Sequence, residues 1–185
     1  MVESLYTVNH ILNVFLAHLR KTNIDLLAAK LETLADKDVL IVVSPFFYGI
    51  SFARYYEVST AWMTLPEITD QSAQRFDMFK IKTLQNEPIK NVVQKIISTL
   101  QNGHRVWLVG GLNFLRPGEV PAVLPPAPHS PYGWSAVSYM ITWSQEAAFA
   151  IQTYGRTIEE ISIPGVDQVS EFENVSLFVV NSKRL

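Results

Sequence analysis

The chain has 185 residues and a formal net charge of −2, and 48% of its residues are hydrophobic against 17% charged. This length and composition predict that residues 1–185 fold as a single domain with a sizeable core, and the charge excludes the strongly basic surface of a nucleic-acid-binding protein. The absence of cysteine excludes disulfides, thiolate metal sites and a cysteine nucleophile.

The first predicted element is an amphipathic helix within residues 1–21, which would form an appendage to the domain. Apolar residues recur at helical spacing between positions 5 and 19. One interpretation is a helix docked on the core, and the other is a helix that lies against a membrane or a partner. The polar face of this helix has few Lys or Arg residues, which argues against a purely electrostatic membrane anchor.

A second helix and the first strand come next. Thr22 and Asn23 are suitable N-cap residues, and apolar residues repeat at helical spacing over 24–31. Residues 39–43 then form a continuous apolar run that ends at Ser44. Such a run is typical of a strand that is buried on both faces.

Helical periodicity and apolar runs alternate through the middle of the chain. The predicted elements are a loop with a short helix at 46–56, a strand at 60–65, helices at 71–85 and 88–101, and a strand at 105–109. The helix at 88–101 followed by the strand at 105–109 is the clearest local pattern of secondary structure, because Asn102-Gly103 is a typical helix end.

A proline-rich loop separates these elements from the last part of the chain. Six of the ten prolines fall within 117–133, so this segment is predicted to be an extended connection without helix or strand. A long helix over 134–153 and a last strand over 175–180 follow.

These elements predict an α/β fold, a three-layer, Rossmann-like sandwich with a mostly parallel central sheet. The strands at 39–43 and 105–109 are expected to be parallel neighbours or near-neighbours, because helical segments precede and separate them. The pattern allows the strand at 175–180 to run antiparallel at an edge of the sheet.

Signatures of catalysis and of metal binding are weak in this sequence. Ser51 lies in a string that resembles half of a nucleophile elbow, but it comes eight residues after the strand instead of directly after it. The Gly110-Gly111 pair follows a strand, yet neither the G-x-G-x-x-G pattern nor a Walker lysine accompanies it. No His, Asp and Glu residues have the spacing of metal ligands. We therefore predict no metal site and no cofactor.

The candidate ligand site lies where the parallel strands end. The residues expected to line one concavity there are Tyr48, Arg54, Tyr55, Gly110 and Gly111. Glycines allow close backbone approach, the tyrosines offer stacking faces and hydroxyl groups, and Arg54 supplies charge. These groups suit a sugar or an anionic lipid headgroup. The alternatives are that Arg54 forms an ion pair with an acid such as Asp77, and that the rings fill the core.

Four strings of the sequence resemble a known family. They are residues 43–56 (VSPFFYGISFARYY), 62–66 (WMTLP), 75–80 (RFDMFK) and 103–111 (GHRVWLVGG). In order and composition they are similar to the C-terminal soluble region of bacterial, notably cyanobacterial, membrane glycosyltransferases. These enzymes form the protein-mannosyltransferase and aminoarabinose-transferase group, glycosyltransferase family 39. The resemblance covers about residues 20–150.

The resemblance implies a binding or assembly role instead of catalysis. In that family the sugar comes from a polyprenyl-phosphate donor, and the catalytic acids lie in loops among transmembrane helices. No run of about 18 apolar residues occurs here, so no catalytic residue is transferred to this chain. The resemblance therefore implies a non-catalytic accessory domain, a fragment or a free-standing relative. The implied partner is a membrane glycosyltransferase module or a glycolipid.

Two other function classes stay open at this stage. One is a free-standing α/β enzyme, or a nucleotide- or sugar-binding protein, that uses the strand ends. A deep pocket holding Tyr48, Arg54 and His104 would favour it. The other is a structural interaction module whose docking surface is the helix at 5–19. If the resemblance holds, the location is extracytoplasmic or peripheral to a membrane, and otherwise it is cytoplasmic.

Overall fold

The structure is a computed structural model that describes residues 22–128, 133–163 and 174–183. The amphipathic helix expected within residues 1–21 lies outside the described residues, as does the end of the proline-rich loop at 129–132. The described part is built around a five-stranded mixed sheet with the strand order β2-β1-β3-β5-β4. The strands are β1 (Leu40–Ser44), β2 (Trp62–Thr64), β3 (Val106–Gly110), β4 (Gly155–Glu160) and β5 (Leu177–Ser182).

Five helices surround this sheet in the described residues. They are α1 (Ile24–Leu34), α2 (Gly49–Tyr55), α3 (Phe76–Thr83), α4 (Lys90–Gln101) and α5 (Ala136–Tyr154), and a 3₁₀ turn, Phe46–Tyr48, precedes α2. The helices and strands predicted after residue 21 are found close to the expected positions. Residues 117–128 contain no helix or strand, as the prolines predict.

The sheet is mixed instead of mostly parallel. β1 pairs in parallel with both β2 and β3, so the prediction that the first and third strands are parallel neighbours is confirmed. β5 pairs antiparallel with β3 and with β4. The expected antiparallel direction of β5 is therefore confirmed, but its expected place at an edge is wrong, since β4 occupies that edge.

β4 was missed by the sequence analysis because it has no apolar run. Its side chains after Gly155 are exposed, and two of its six residues are glutamates. Charged residues are common on edge strands, where they discourage pairing with other chains. β4 follows α5 directly, and Gly155 is needed at the junction. A Cβ there would come within 2.7 Å of both the Ile151 carbonyl oxygen and a methyl of Val180.

Two hydrophobic cores lie on the two faces of the sheet. Along β1, Leu40 and Val42 belong to one core, whereas Ile41 and Val43 belong to the other, because successive side chains of a strand point to opposite faces. The first core includes buried residues of α3, α4 and α5. The second includes buried residues of α1 and Phe52 of α2. Helices therefore pack against both faces of β1 and β3.

Candidate functional site

The carboxyl ends of three parallel strands meet at one edge of the sheet. β1, β2 and β3 end at Ser44, Thr64 and Gly110, and their pairing is in register. In sheets of this kind ligands bind at the carboxyl ends of the strands. The last residue of β3, Gly110, and the next residue, Gly111, lie at this edge.

Gly110 brings the chain so close to β1 that no side chain fits. Its φ is +96°, a conformation that favours glycine, and a Cβ would lie 1.8 Å from the Ser44 carbonyl oxygen. The Gly110 amide donates to the Ser176 carbonyl at 2.8 Å, and the Gly111 amide donates to the Ser44 carbonyl at 3.0 Å. These bonds hold the ends of β1 and β3 and the start of β5 together.

Gly111 faces open space at the same edge. A Cβ on Gly111 would have no other atom within 4 Å, and its φ is not in the left-handed region. This glycine lines two depressions of the surface. A Cβ can therefore be added at this lining residue without a steric clash.

The first depression, which we call the polar concavity, has a volume of about 340 Å³. Its lining residues are Pro45, Tyr48, Gly110, Gly111, Asn174, Val175, Ser176 and Phe178. The Tyr48 ring lies beside Gly110, since a Cβ at that glycine would be 3.3 Å from Cδ2 of the ring. A phenol, a side-chain amide and a serine hydroxyl thus surround backbone that is open to a ligand.

The second depression, which we call the apolar concavity, has a volume of about 220 Å³. Its lining residues are Ser44, Pro45, Phe47, Leu65, Gly111, Asn113, Val137, Met140, Ile141 and Ser144. The Asn113 amide donates to the Ser144 hydroxyl at 2.7 Å, which ties the chain after β3 to α5. The remaining surface is dominated by aliphatic and aromatic side chains.

The two concavities adjoin and together form what we call the edge site. They share Pro45 and Gly111. The 3₁₀ turn after Pro45 directs two neighbouring rings to different sides, because Phe47 lines the apolar concavity and Tyr48 the polar one. Their ring centroids are 5.0 Å apart in an edge-on arrangement. One half of the edge site is therefore strongly apolar, and the other half combines apolar surface with hydrogen-bonding side chains.

Exposed apolar side chains extend the apolar half onto the surface of α5. Val137 and Ile141 are 60% and 43% exposed and lie one helical turn apart. Trp134 precedes the helix and is 46% exposed, with the Lys80 ammonium 4.6 Å from the centre of its ring. A run of exposed apolar groups beside a concavity marks a surface that is suited to an apolar ligand or partner.

Three of the five residues predicted for the site lie together, and two lie elsewhere. Tyr48, Gly110 and Gly111 line the polar concavity. Arg54 and Tyr55 are at the end of α2 and line neither half of the edge site. The Arg54 guanidinium carbon is 5.8 Å from the centre of the Tyr55 ring, and both side chains are exposed.

The expected alternative partner of Arg54 is engaged with another arginine. Asp77 accepts hydrogen bonds from Nε and a terminal nitrogen of Arg75 at 2.9 and 2.7 Å, and Asp70 pairs with the same guanidinium. The hydrogen bonds from Arg75 lower the pKa of Asp77 to about 2. The ion pair between Arg54 and Asp77 that we considered is therefore wrong, and the acid belongs to a separate exposed cluster on α3.

Sequence reasoning missed most of the edge site beyond the two strand ends. Val137, Met140 and Ile141 follow the proline-rich loop, and Asn174 and Ser176 come from the segment that leads into β5. The i, i+3, i+4 spacing of Val137, Met140 and Ile141 was visible in the sequence. It did not show that this face of α5 reaches the strand ends.

Residues 22–128, 133–163 and 174–183 contain neither a metal-binding cluster of side chains nor a membrane-spanning helix. In these ranges no three His, Asp or Glu side chains come together in a way that could hold a metal ion. The helices described there are also too short or too polar to cross a membrane.

Comparison with protein-family models, with curated proteins and with solved structures returns no match for this chain. The function is therefore inferred from the geometry of the edge site and the chemistry of its side chains.

Proposed function

We propose that this chain is a non-catalytic accessory domain, related to membrane glycosyltransferases that use polyprenyl-phosphate sugars, and that it binds a glycolipid at the edge site. The single observation that supports this proposal most is the amphipathic character of that site. A hydrogen-bonding concavity and an apolar concavity adjoin at Gly111. A sugar joined to a hydrocarbon chain has the same two halves.

The side chains of each half fit the matching part of such a ligand. In the polar concavity, Tyr48 offers a ring face for stacking against a sugar. The Ser176 hydroxyl donates to Glu160 and can still accept a hydrogen bond from a sugar hydroxyl. The Asn174 amide oxygen accepts from Asn23, and its amide nitrogen can donate to a sugar.

In the apolar concavity, Phe47 and Met140 offer the surface that a hydrocarbon chain buries. The two volumes together fall within the range of small-ligand sites.

A binding role also agrees with the absence of charge in the described lining. Neither concavity is lined by Asp, Glu, His, Lys or Arg, which are the usual acids, bases and electrostatic catalysts. A headgroup recognised here would be bound through its hydroxyl groups and its ring. We accordingly place the sugar, and not a phosphate, in the polar concavity.

We also propose a fold classification for the parallel half of the sheet. Helices pack against both faces of β1 and β3, which supports classifying this half as a three-layer, Rossmann-like sandwich. β4 and β5 are then an antiparallel extension. Ser176, the residue before β5, lines the edge site.

Two rival functions have less support. A free-standing enzyme was expected to gather Tyr48, Arg54 and His104 in one pocket. His104 instead precedes β3, whereas Tyr48 follows β1, so these two residues lie at opposite edges of the parallel strands. An interaction module that docks through residues 5–19 depends on a helix that lies outside the described residues.

The proposal is tested by titrating the protein with octyl β-glucoside below its critical micelle concentration. We expect saturable binding with a dissociation constant of about 1 mM, and weaker binding of glucose, which lacks the alkyl chain. Gly111→Trp adds a large ring at the residue that both concavities share and should weaken octyl glucoside binding at least about tenfold. Isothermal titration calorimetry on the two proteins measures both values.

The matched control is Val123→Trp, which adds the same ring at a position that is 83% exposed and lines neither concavity. Binding by this variant should equal that of the unaltered protein. The proposal is wrong if octyl glucoside does not bind, or if Gly111→Trp binds it as well as Val123→Trp does.

A further inference from the structure

A third concavity, with a different chemistry, lies at the opposite edge of the sheet. It has a volume of about 430 Å³, and its lining residues are Gly103, Arg105, Arg156, Thr157, Asn181 and Ser182. These residues flank the start of β3, the start of β4 and the end of β5. The concavity is therefore separated from the edge site by the length of the strands.

Strand register places three of these side chains in one row. The three are Arg105, Asn181 and Thr157. Arg105 lies opposite Asn181 when the ladder between β3 and β5 is extended by one residue. Asn181 in turn pairs with Thr157 of β4. Arg105 is two residues before Trp107, which belongs to the core under α1. Because side chains alternate along a strand, the row lies on the α1 face of the sheet.

A β-bulge adds Arg156 to this row. The register between β4 and β5 shifts between Gly155 and Thr157, which leaves Arg156 as the extra residue. Bulges change the direction in which a side chain points, and they are frequent next to binding sites. The backbones of β3 and β4 are about 10 Å apart, two strand spacings. Two arginine side chains can converge on one small ligand across that distance.

The charge of the lining is positive. It holds two guanidinium groups and no carboxylate. Arg105 pairs with Asp36, which lies just after α1 and outside the lining, and no acidic side chain in the described part of the chain pairs with the exposed Arg156. Glu159 is engaged with neutral donors, since it accepts from Asn181 at 3.2 Å and from Thr157 at 3.1 Å.

From this arrangement we infer that the concavity binds a small anion with phosphate or carboxylate groups, held between Arg105 and Arg156. The planar guanidinium group suits both anions, because its parallel N–H groups match two oxygens at once. Ser182 adds a hydroxyl group to the lining, whereas the Thr157 hydroxyl already donates to Glu159. Asp36 is the internal competitor for Arg105, so removing its charge should strengthen binding.

The test is an NMR titration of the labelled protein with inorganic phosphate, and separately with succinate, against sodium chloride at equal ionic strength. The Nε–Hε signals of Arg105 and Arg156 should shift and saturate with a dissociation constant of about 1 mM or lower. Tighter binding of phosphate assigns the site to phosphate groups, and tighter binding of succinate assigns it to carboxylates. Saturation with neither anion overturns the inference.

Three variants distinguish a specific anion-binding site from a general effect of positive charge on the protein surface. Arg156→Gln should weaken binding about tenfold, whereas Arg54→Gln, which removes an exposed arginine elsewhere, should leave it unchanged. Asp36→Asn should tighten binding several-fold, an effect that a misfolded variant would not show. Equal effects of Arg156→Gln and Arg54→Gln, or no gain from Asp36→Asn, would contradict the inference. This outcome is independent of octyl glucoside binding at the edge site.

Discussion

Gly110 and Gly111 follow each other at the end of β3, but their surroundings differ. Gly110 is fixed by a positive φ and by the Ser44 carbonyl oxygen 1.8 Å from where a Cβ would stand, whereas Gly111 faces open space. The first glycine therefore serves the fold, and the second leaves room for a ligand. The sequence contains the Gly-Gly pair but does not show which glycine is required by the fold and which lies beside open space.

Alanine at each glycine should give opposite results. Gly110→Ala forces a side chain into a left-handed conformation and against the β1 backbone, so we expect a loss of about 2 kcal/mol or more in the free energy of unfolding. Gly111→Ala should change it by less than about 0.5 kcal/mol. Urea unfolding measures both. Equal losses would show that Gly111 is also structurally constrained.

Glu146 is a residue of α5 whose burial opposes its negative charge. Burial raises its pKa from the ordinary value of 4.5 to about 7. The folded state therefore binds this proton more tightly than the unfolded state does. The resulting stabilisation is present in full below about pH 4.5 and is lost as the pH rises through 7.

Glu146→Gln should accordingly remove a pH dependence and raise stability in alkaline solution. At pH 8 we expect a gain of about 1 kcal/mol, after allowance for partial exposure, and a rise of about 3 °C in the melting temperature. At pH 4 the two proteins should melt alike. The control is Glu57→Gln, at an exposed position. A melting temperature that is unchanged by Glu146→Gln at pH 8 would contradict the assignment.

At the scale of elements, one buried side chain links the start of α1 to the start of β5. Asn23 is fully buried, and its amide nitrogen donates to the Val175 carbonyl at 2.8 Å. Its amide oxygen accepts from the Val175 amide at 2.8 Å. Val175 and its neighbours line the polar concavity, so Asn23 positions one wall of the edge site.

Asn23→Ala should destabilise the protein by about 2 kcal/mol, because it leaves the buried amide and carbonyl of Val175 without these partners. Asn86→Ala, at an exposed position, is the control and should change stability by less than about 0.5 kcal/mol. Thermal or urea unfolding of the two variants gives the comparison. Similar effects at both positions would mean that the Asn23 bonds contribute little.

The elements also show what the sequence could predict. β1 and β3 were found because strands buried on both faces are continuous apolar runs. β4 was missed because an exposed edge strand is specified by pairing with β5 and not by its own pattern. Arg54 was placed wrongly because α2 begins at Gly49. Six residues of helix carry Arg54 about 9 Å along the axis from Tyr48.

The whole molecule presents two chemically different edges. The carboxyl ends of β1 and β3 carry the uncharged, amphipathic edge site, and the opposite edge carries the arginine-lined concavity. The edge site combines segments that are far apart in the chain, since Phe47, Met140 and Ser176 come from three different regions. Such a combination depends on topology, and local sequence patterns predict only its parts.

The most direct test of the central claim is to locate octyl β-glucoside on the protein by intermolecular nuclear Overhauser effects. We predict contacts from the alkyl chain to the methyl groups of Met140 and Ile141, and from the sugar protons to the ring of Tyr48. Contacts at Arg54 and Tyr55 instead, or a bound glucoside with no contact to either half of the edge site, would contradict the account.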